Sequence, residues 1–214
     1  MTHDIFDRIG LIGLMPVIVI EDAEAAVPLA EALIAGGLPL AEVTFRTAAA
    51  AKAIAAMAKV PGLLLGAGTV MKPEQVDQAM DLGATFALAP NFNPTTAGHA
   101  LKKGMPFVPG VLTPSEMGVA LEAGFAVQKF FPAEAAGGAP FLKAVSAPVR
   151  GIRFVPTGSI DLAKLPSYLE LPSVLAVGGS WMVAPKLIQE KKWSEITRIA
   201  AEAVAVVKQS RPAP

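Results

Sequence analysis

Cysteine is absent from this chain of 214 residues. Its absence excludes disulfides, thiolate nucleophiles and cysteine-ligated metal sites. Histidine is scarce: His3 and His99 lie far apart in the sequence, and neither has a second ligand at metal-binding spacing. We therefore expect no metal site, and we expect both histidines to be surface or helix-cap residues.

A charge excess of either sign is also missing, because 18 basic residues balance 18 acidic ones. Without a basic run, the sequence predicts no nucleic-acid partner. The longest uncharged stretches, such as residues 171–185, are too short for a membrane span and are broken by glycine and proline. The opening Met1-Thr2-His3-Asp4 lacks the basic start of a secretion signal, so we expect a soluble, cytoplasmic protein without a membrane partner.

The chain is rich in apolar residues that can be buried in a core. Hydrophobic residues make up 53% of the sequence and charged residues only 17%. This composition is too apolar for a disordered chain and is sufficient for one large core. No linker or low-complexity tract divides the sequence, so we predict a single domain over residues 1–214.

Short apolar runs alternate along the chain with longer, alanine-rich segments of helical character. This alternation is typical of βα units around a parallel sheet. The predicted strands are residues 16–20, 40–45, 63–69, 85–89, 106–109, 126–131, 152–156 and 174–177. The first predicted helix ends at Gly36-Gly37, and Thr47 is expected to cap the second.

Eight βα repeats in a little over 200 residues match the lower size limit of a (β/α)8 TIM barrel. An open, doubly wound sheet usually has fewer strands or a second domain, so we favour the barrel over that α/β alternative. Residues 5–14 precede the first strand and are apolar at helical spacing. They predict an N-terminal helix that closes the bottom of the barrel.

Lys129 is the most unusual residue at the predicted strand ends, where barrel enzymes carry their reacting groups. It lies in an apolar strand with Val127 and Phe131 on the same face. A lysine enclosed there loses hydration, which disfavours the ammonium form, and attack on a ketone requires a neutral amine. An ion pair with a barrel carboxylate explains the same pattern equally well. The residues alone therefore leave nucleophile and ion-pair partner as equal alternatives.

Glu42 lies among apolar residues of the second predicted strand. Enclosed with a lysine, its carboxylate would be either a proton shuttle or a counter-ion, and the sequence does not separate these roles. Arg46 follows at the strand end and offers a planar fork suited to a substrate carboxylate. A solvated surface charge is the commoner role for such an arginine.

Two glycine-containing turns follow the last two predicted strands: Thr-Gly-Ser at residues 157–159 and Gly-Gly-Ser at residues 178–180. Their N–H groups and hydroxyls can bind an anion, and these two loops form the usual phosphate site of barrels. Two such turns in the appropriate loops favour a phosphate ligand over glycines that only permit a tight turn. Residues 66–68, Gly-Ala-Gly, lack the rest of the dinucleotide fingerprint, so no nucleotide cofactor is expected.

Five strand-end motifs carry a family resemblance. They are Glu-Val-Thr-Phe-Arg-Thr at 42–47, Gly-Ala-Gly-Thr-Val at 66–70, Lys-Phe-Phe-Pro-Ala-Glu at 129–134, Pro-Thr-Gly-Ser-Ile at 156–160 and Gly-Gly-Ser-Trp at 178–181. In this order, and over nearly the whole chain, they resemble the 2-keto-3-deoxy-6-phosphogluconate (KDPG) and 4-hydroxy-2-oxoglutarate (KHG) aldolase family. The Lys-Phe-Phe-Pro-Ala-Glu block is the most diagnostic of the five.

The resemblance implies a class I, Schiff-base aldolase, which is an aldehyde-lyase, on a TIM barrel. Such an enzyme cleaves KDPG to pyruvate and D-glyceraldehyde 3-phosphate in the Entner-Doudoroff pathway of carbohydrate metabolism. It implies no metal or coenzyme, a small phosphorylated keto-acid as substrate, and assembly as a homotrimer.

The resemblance also implies roles for single residues. Lys129 would form the Schiff base and Glu42 would move the protons. The substrate-binding residues would be Arg46 and Thr69 at the pyruvyl end, Pro90 and Phe131 along the pocket, and Thr157, Gly158, Ser159, Gly179 and Ser180 around the phosphate.

Two departures from the family pattern bear on the substrate. Ser159 replaces a usual glycine, and residues 89–93, Ala-Pro-Asn-Phe-Asn, replace a Ser-Pro-Gly type of loop. The alternatives with the same chemistry are KHG and 2-dehydro-3-deoxy-6-phosphogalactonate, the galactonate epimer of KDPG. A phosphosugar isomerase or epimerase would share the phosphate turns but would not need a lysine imine. A non-catalytic phosphate-binding barrel would bind its ligand without turnover.

Overall fold

The computed structural model describes residues 2–211, in which short parallel strands alternate with helices. The strands are β1 (Leu14–Ile18), β2 (Leu40–Thr44), β3 (Leu64–Gly68), β4 (Phe86–Leu88), β5 (Phe107–Val108), β6 (Gly110–Val111), β7 (Val127–Phe130), β8 (Arg153–Phe154) and β9 (Val177–Gly179). The helices are α1 (Thr2–Ile12), α2 (Ala26–Ala35), α3 (Ala50–Met57), α4 (Pro73–Asp81), α5 (Pro94–Lys103), α6 (Pro114–Glu122), α7 (Gly138–Ser146), α8 (Leu165–Leu169), α9 (Pro185–Gln189) and α10 (Trp193–Ser210). Met1 and residues 212–214 belong to the predicted domain but lie outside the described part. The side chain of His3, which was expected at the surface or as a helix cap, lies outside it too.

The strands form a curled parallel sheet in two parts. Six strands pair in the order β5-β4-β3-β2-β1-β9, and three pair in the order β6-β7-β8. Single parallel bridges, Phe154 with Val174 and Thr157 with Gly178, connect the smaller part to the β9 side of the larger one. The fold is therefore α/β with a curled parallel sheet, as the alternating pattern predicts.

The fifth predicted strand, residues 106–109, differs from the expectation because it gives way to two strands. β5 and β6 lie on either side of Pro109, which has no N–H to donate to a ladder. The carbonyl of Pro109 still accepts a hydrogen bond of 2.8 Å from the N–H of Lys129. The residue that separates the two parts of the sheet thus also fixes the position of Lys129 along β7.

Helix α1 packs against the inside of the curled sheet. Ile9 is 1% exposed and belongs to an inner apolar cluster with Leu40, Leu64 and Phe86. These three residues open strands β2, β3 and β4. The other members of this inner cluster are Met15, Leu88, Val108, Val127, Val155, Leu175 and Ala176. Helix α1 therefore lies at the amino-terminal end of the strands, opposite the end where the candidate site residues are found.

One predicted helix boundary agrees with the structure and one does not. Helix α2 ends at Ala35, directly before Gly36, as expected. The predicted cap at Thr47 is wrong, because α3 begins only at Ala50 and its N-cap residue is Ala49. The Thr47 hydroxyl instead donates a hydrogen bond to the carbonyl of Ile20, across the end of β1.

The longest helix, α10, covers α2 from outside. Its buried residues Ile196, Ala200, Ala203 and Val207 recur at helical spacing. The Thr197 hydroxyl donates a hydrogen bond of 3.0 Å to the carbonyl of Ala32 in α2. Across residues 2–211, none of the helices combines the length and the apolar character needed to cross a membrane.

Candidate active site

Glu42 is a fully buried carboxylate in the middle of β2. Its exposed fraction is 0%, and its neighbour in register on β3 is Gly66. A Cβ atom on Gly68, two residues further along β3, would overlap Glu42 Oε1. Glycine at position 68 is therefore what leaves room for the carboxylate inside the sheet.

Lys129 reaches Glu42 from β7 on the other part of the sheet. Its Nζ lies 3.0 Å from Glu42 Oε1, and its side chain is 6% exposed. The Phe131 ring centroid lies 5.7 Å from the same Nζ. Within the described residues, Glu42 Oε2 is buried without a hydrogen-bond partner. The structure thus brings Lys129 and Glu42 together and leaves one acceptor of the pair unused.

This pair is suited to proton exchange. Two charges enclosed together lose hydration, and the loss is repaid only when every remaining hydrogen-bonding atom is satisfied. Glu42 Oε2 does not meet that condition. Transfer of one proton across the 3.0 Å contact would produce a neutral amine and a neutral carboxylic acid. A neutral amine is a nucleophile, and a carboxyl group beside it can accept or return a proton.

Arg46 is held at the end of β2 by a residue that sequence reasoning missed. Its Nε donates a hydrogen bond of 3.0 Å to the hydroxyl of Thr44, which in turn donates one of 2.8 Å to the carbonyl of Ile18. Thr44 is buried and shares a strand face with Glu42, two residues away. The alternation of side chains along a strand, which places every second residue on the same face, was the sequence signal that could have pointed to Thr44.

Most of the predicted substrate-binding residues surround one small cavity of about 130 Å³. The predicted residues that line it are Arg46, Phe131, Thr157, Gly158, Ser159, Gly179 and Ser180. Val17 and Ile160 line it too and were not predicted, and Gly178, from the predicted anion-binding turn at residues 178–180, lines it as well. Phe131 connects this cavity to the Lys129–Glu42 pair because it contacts both.

Gly178 lets two chain segments meet at this cavity. A Cβ atom there would overlap the Thr157 hydroxyl, and the backbones of Thr157 and Gly178 form a parallel bridge. The predicted strand at residues 174–177 is displaced in the structure: β9 begins at Val177 and runs to Gly179, where it pairs with β1.

Thr69 and Pro90 lie beside the buried pair rather than around the cavity. Thr69 follows Gly68, the glycine against Glu42, and has a φ of 59°. Pro90 abuts Gly110, where a Cβ atom would overlap the Pro90 carbonyl group. Gly110 is the register partner of Lys129. Thr69 is thus adjacent in sequence to the glycine that contacts Glu42, and Pro90 abuts the register partner of Lys129.

The loop at residues 89–93, which departs from the family pattern, has a structural role at its carboxyl-terminal end. Asn93 caps α5, and its Oδ1 accepts hydrogen bonds from the N–H groups of Thr95 and Thr96. Phe92 packs edge-on against Phe125, with ring centroids 6.1 Å apart. Only the part of this loop near Pro90 approaches the candidate site.

The second histidine belongs to a surface cluster. His99 Nε2 lies 3.0 Å from Asp77 Oδ1, and Lys103 Nζ lies 2.9 Å from the same oxygen. Hydrogen bonds from Lys103 and His99 lower the pKa of Asp77 below its usual value. In the part of the chain that the structure describes, no three carboxylate or imidazole side chains are arranged to hold a metal ion.

Comparisons with known proteins agree with this geometry. The sequence matches the family model "KDPG and KHG aldolase" over residues 5–199. It is 45% identical over 204 residues to the 2-dehydro-3-deoxy-phosphogluconate aldolase of Treponema pallidum, which covers 95% of this chain and 97% of that protein.

Two solved structures share the fold. The KDPG aldolase of Zymomonas mobilis ZM4, solved with 3-phosphoglycerate, superposes with a TM-score of 0.89 at 42% identity and covers 96% of this chain and 97% of that one. The KDPG aldolase of Legionella pneumophila, in which pyruvate was captured as a covalent carbinolamine, superposes with a TM-score of 0.87 at 42% identity. That match covers 91% of this chain and 97% of that one.

Proposed function

This chain belongs to the KDPG and KHG aldolase family, a family of aldehyde-lyases, and we propose that it cleaves KDPG to pyruvate and D-glyceraldehyde 3-phosphate. The observation that carries the proposal is the enclosed contact of 3.0 Å between Lys129 Nζ and Glu42 Oε1. An amine and a carboxyl group in such contact are the two groups that a Schiff-base aldolase needs.

Lys129 is the nucleophile of this proposal. After passing a proton to Glu42, its amine adds to the C2 ketone of KDPG to give a carbinolamine. Glu42 then returns that proton to the carbinolamine hydroxyl, which leaves as water, so that an iminium and the Glu42 carboxylate result. The captured carbinolamine in the Legionella pneumophila relative supports an intermediate of this kind. The iminium then accepts the electron pair of the C3–C4 bond as that bond breaks.

Glu42 moves the protons. Acting directly or through one water, its carboxylate takes the proton of the C4 hydroxyl, so that glyceraldehyde 3-phosphate leaves as the aldehyde. The enamine that remains on Lys129 is protonated at C3 by the same carboxyl group. Hydrolysis of the resulting iminium releases pyruvate and restores the free amine. Glu42 Oε2 supports this role because it is buried without a partner among the described residues.

The two ends of the substrate occupy different surroundings in this proposal. Thr69 and Arg46 hold the pyruvyl end, and Pro90 and Phe131 line the pocket. The phosphate occupies the cavity bounded by Thr157, Gly158, Ser159, Gly179 and Ser180. Arg46 lines this cavity as well, so its charge also acts on the phosphate.

The scaffold of the proposal is one domain over residues 1–214, in which the two parts of the sheet close into an eight-stranded (β/α)8 barrel. The bridge between Thr157 and Gly178 supports closure on one side. The burial of Ile9 among the first residues of β2, β3 and β4 supports α1 as the cover of the barrel bottom. Assembly as a homotrimer in the cytoplasm rests on family resemblance.

Borohydride trapping tests the central step. Incubation with pyruvate and borohydride should add one reduced pyruvyl group to the peptide that contains Lys129. Lys129→Ala should abolish the adduct, and Lys164→Met, which removes a partly exposed lysine, should not. The absence of an adduct under conditions that label a control aldolase would defeat the Schiff-base proposal.

A comparison of cleavage rates tests which keto-acid substrate the enzyme prefers. KHG is a second candidate because the matching family includes KHG aldolases. Cleavage rates should be compared for KDPG, its galactonate epimer and KHG, and KDPG should be fastest. A phosphosugar isomerase or epimerase would act without forming the imine, and a binding barrel would retain ligand without turnover.

A further inference from the structure

The turn at residues 157–160 has a backbone shape that its neighbours must maintain. Gly158 has a φ of 118° and Ser159 has a φ of 57°. Ser159 carries a Cβ atom, and residues other than glycine rarely adopt this region. Such conformations persist only where the surrounding structure holds them. This turn also lines the cavity assigned to the phosphate.

Backbone hydrogen bonds hold one side of this turn. The N–H of Ala133 donates to the carbonyl of Thr157 at 2.8 Å, and the N–H of Glu134 donates to the carbonyl of Gly158 at 3.2 Å. Among residues 2–211, the N–H groups of Gly158 and Ser159 donate to no backbone carbonyl. The turn is thus anchored by its carbonyls while these two donors stay available for an anion.

An ion pair holds the other side. Lys164 Nζ lies 2.9 Å from Glu134 Oε2 and donates a hydrogen bond of 3.4 Å to the carbonyl of Ser159. The N–H of Lys164 donates to Asp161 Oδ1 at 3.0 Å, which fixes the start of its helix against the same loop. Lys164 therefore connects the carboxylate of Glu134 to the one non-glycine residue of positive φ in the turn.

Glu134 is itself fixed from the interior. The hydroxyl of Tyr168, a buried residue of α8, donates a hydrogen bond of 2.5 Å to Glu134 Oε1. A Cβ atom on Gly138 would lie 3.2 Å from this oxygen, so the space around it is filled. Hydrogen bonds from Tyr168 and then Lys164 lower the pKa of Glu134, which keeps it ionised near neutral pH. Both of its oxygens are engaged, so its charge is directed at these two partners.

We propose that Glu134 and Lys164 are positioning residues that hold the turn at residues 157–160 in the shape that binds the substrate phosphate. The inference rests on the proposed function, because it takes the phosphate to bind at this turn. Neither side chain needs to touch the substrate. Their contribution is to hold the Ser159 carbonyl, which fixes the far side of the turn. The peptide units that carry the N–H groups of Gly158 and Ser159 are held by the backbone hydrogen bonds from Ala133 and Glu134 to the carbonyls of Thr157 and Gly158.

Steady-state kinetics on two matched substrates test the inference. The pair is KDPG and 2-keto-3-deoxygluconate, which is the same molecule without the phosphate. Lys164→Met and Glu134→Gln should each raise KM for KDPG by about fivefold with little change in kcat. KM for the unphosphorylated substrate should not change. Lys164→Arg keeps the charge and the donors and should retain most of the wild-type KM.

A remote pair of the same chemistry supplies the control. Glu195 and Arg198 lie 2.8 Å apart on α10, far along the chain from the turn, and Glu195→Gln should leave both KM values unchanged. Equal rises in KM for the two substrates in Lys164→Met would overturn the positioning role, and so would a wild-type KM for KDPG in that variant. If the wild-type enzyme bound both substrates equally well, the phosphate assignment would fall and this inference with it. Pyruvate trapping at Lys129 tests the Schiff-base step independently of either result.

Discussion

Two Glu–Lys pairs in this molecule have almost the same length and very different surroundings. Nζ to carboxylate distances are 3.0 Å for Lys129–Glu42 and 2.9 Å for Lys164–Glu134. The first pair is enclosed, with side-chain exposures of 6% and 0%, and the second is open, with 44% and 24%. In the enclosed pair one carboxylate oxygen has no partner among the described residues, whereas Glu134 uses both. The two pairs, to which we assign different roles, therefore differ in enclosure and in unused hydrogen-bonding capacity and not in distance.

The largest expected effect removes the charge of the enclosed carboxylate. Glu42→Gln should lower kcat by about 10²–10⁴-fold, because an amide cannot accept the C4 hydroxyl proton. It should still trap pyruvate on Lys129, since the amine remains. Glu134→Gln, the same change in the open pair, should leave kcat nearly unaltered. Full turnover by Glu42→Gln would contradict the proton-transfer role of the enclosed carboxylate and with it the proposed difference between the two pairs.

The next effect concerns stability. Lys129→Met should lower the free energy of unfolding by about 3 kcal/mol at neutral pH, because Glu42 would then be buried without its partner. Lys164→Met should cost at most about 1 kcal/mol, as is usual for a solvent-exposed pair. Urea unfolding followed by circular dichroism measures both variants. Equal losses would mean that enclosure does not distinguish the two pairs.

A smaller effect is expected in the turn that the open pair holds. Ser159→Gly should raise the free energy of unfolding by about 0.5–1 kcal/mol, because glycine adopts a φ of 57° without a Cβ penalty. Gly158→Ala is the matched opposite, since its Cβ atom would lie 3.2 Å from Ala133 N at a φ of 118°. Thermal melts should therefore move in opposite directions. A destabilised Ser159→Gly would show that the serine hydroxyl outweighs the backbone strain.

The smallest effect is a pH dependence of the open pair. The folded-state pKa of Glu134 is lowered, mainly by the Tyr168 hydrogen bond, so its contribution is present above the ordinary value of 4.5 and is lost as pH falls through the folded value. The stability difference between wild type and Glu134→Gln should therefore be constant near neutrality and shrink in acid. Unfolding free energies at pH 7 and pH 3 measure this difference. A gap that widened in acid would contradict the assigned direction.

Sequence reasoning predicted the α/β fold class and singled out Lys129 and Glu42 through patterns that are local. Each of these patterns is recognised from residues that are neighbours in the sequence. They are the alternation of strand and helix segments, the glycines at helix ends and the motifs at strand ends. Thr47 shows where this reasoning fails: a threonine before a helix resembles a cap, yet its hydroxyl donates to the carbonyl of Ile20, just beyond the end of β1. The break at Pro109 could be expected from a proline that has no N–H to donate, but its pairing with Lys129 could not.

The candidate site was predicted unevenly for the same reason. Lys129 and Glu42 are separated by 87 positions, so the sequence left their contact open between catalysis and charge pairing. Thr44 and Lys164 were missed because each acts through another side chain, Arg46 in one case and Glu134 in the other. The contact between Lys164 and Glu134 leaves no pattern at a fixed spacing, whereas the alternation along β2 was a signal for Thr44.

Gly68 sets a boundary on how this enzyme can be altered. Every substitution there introduces a Cβ atom into the volume of the Glu42 carboxylate. A mutant library that randomises position 68 should consequently yield glycine alone among its active clones. Positions 159 and 90 already carry side chains, so new substrate ranges should be sought there while β3 is kept as it is.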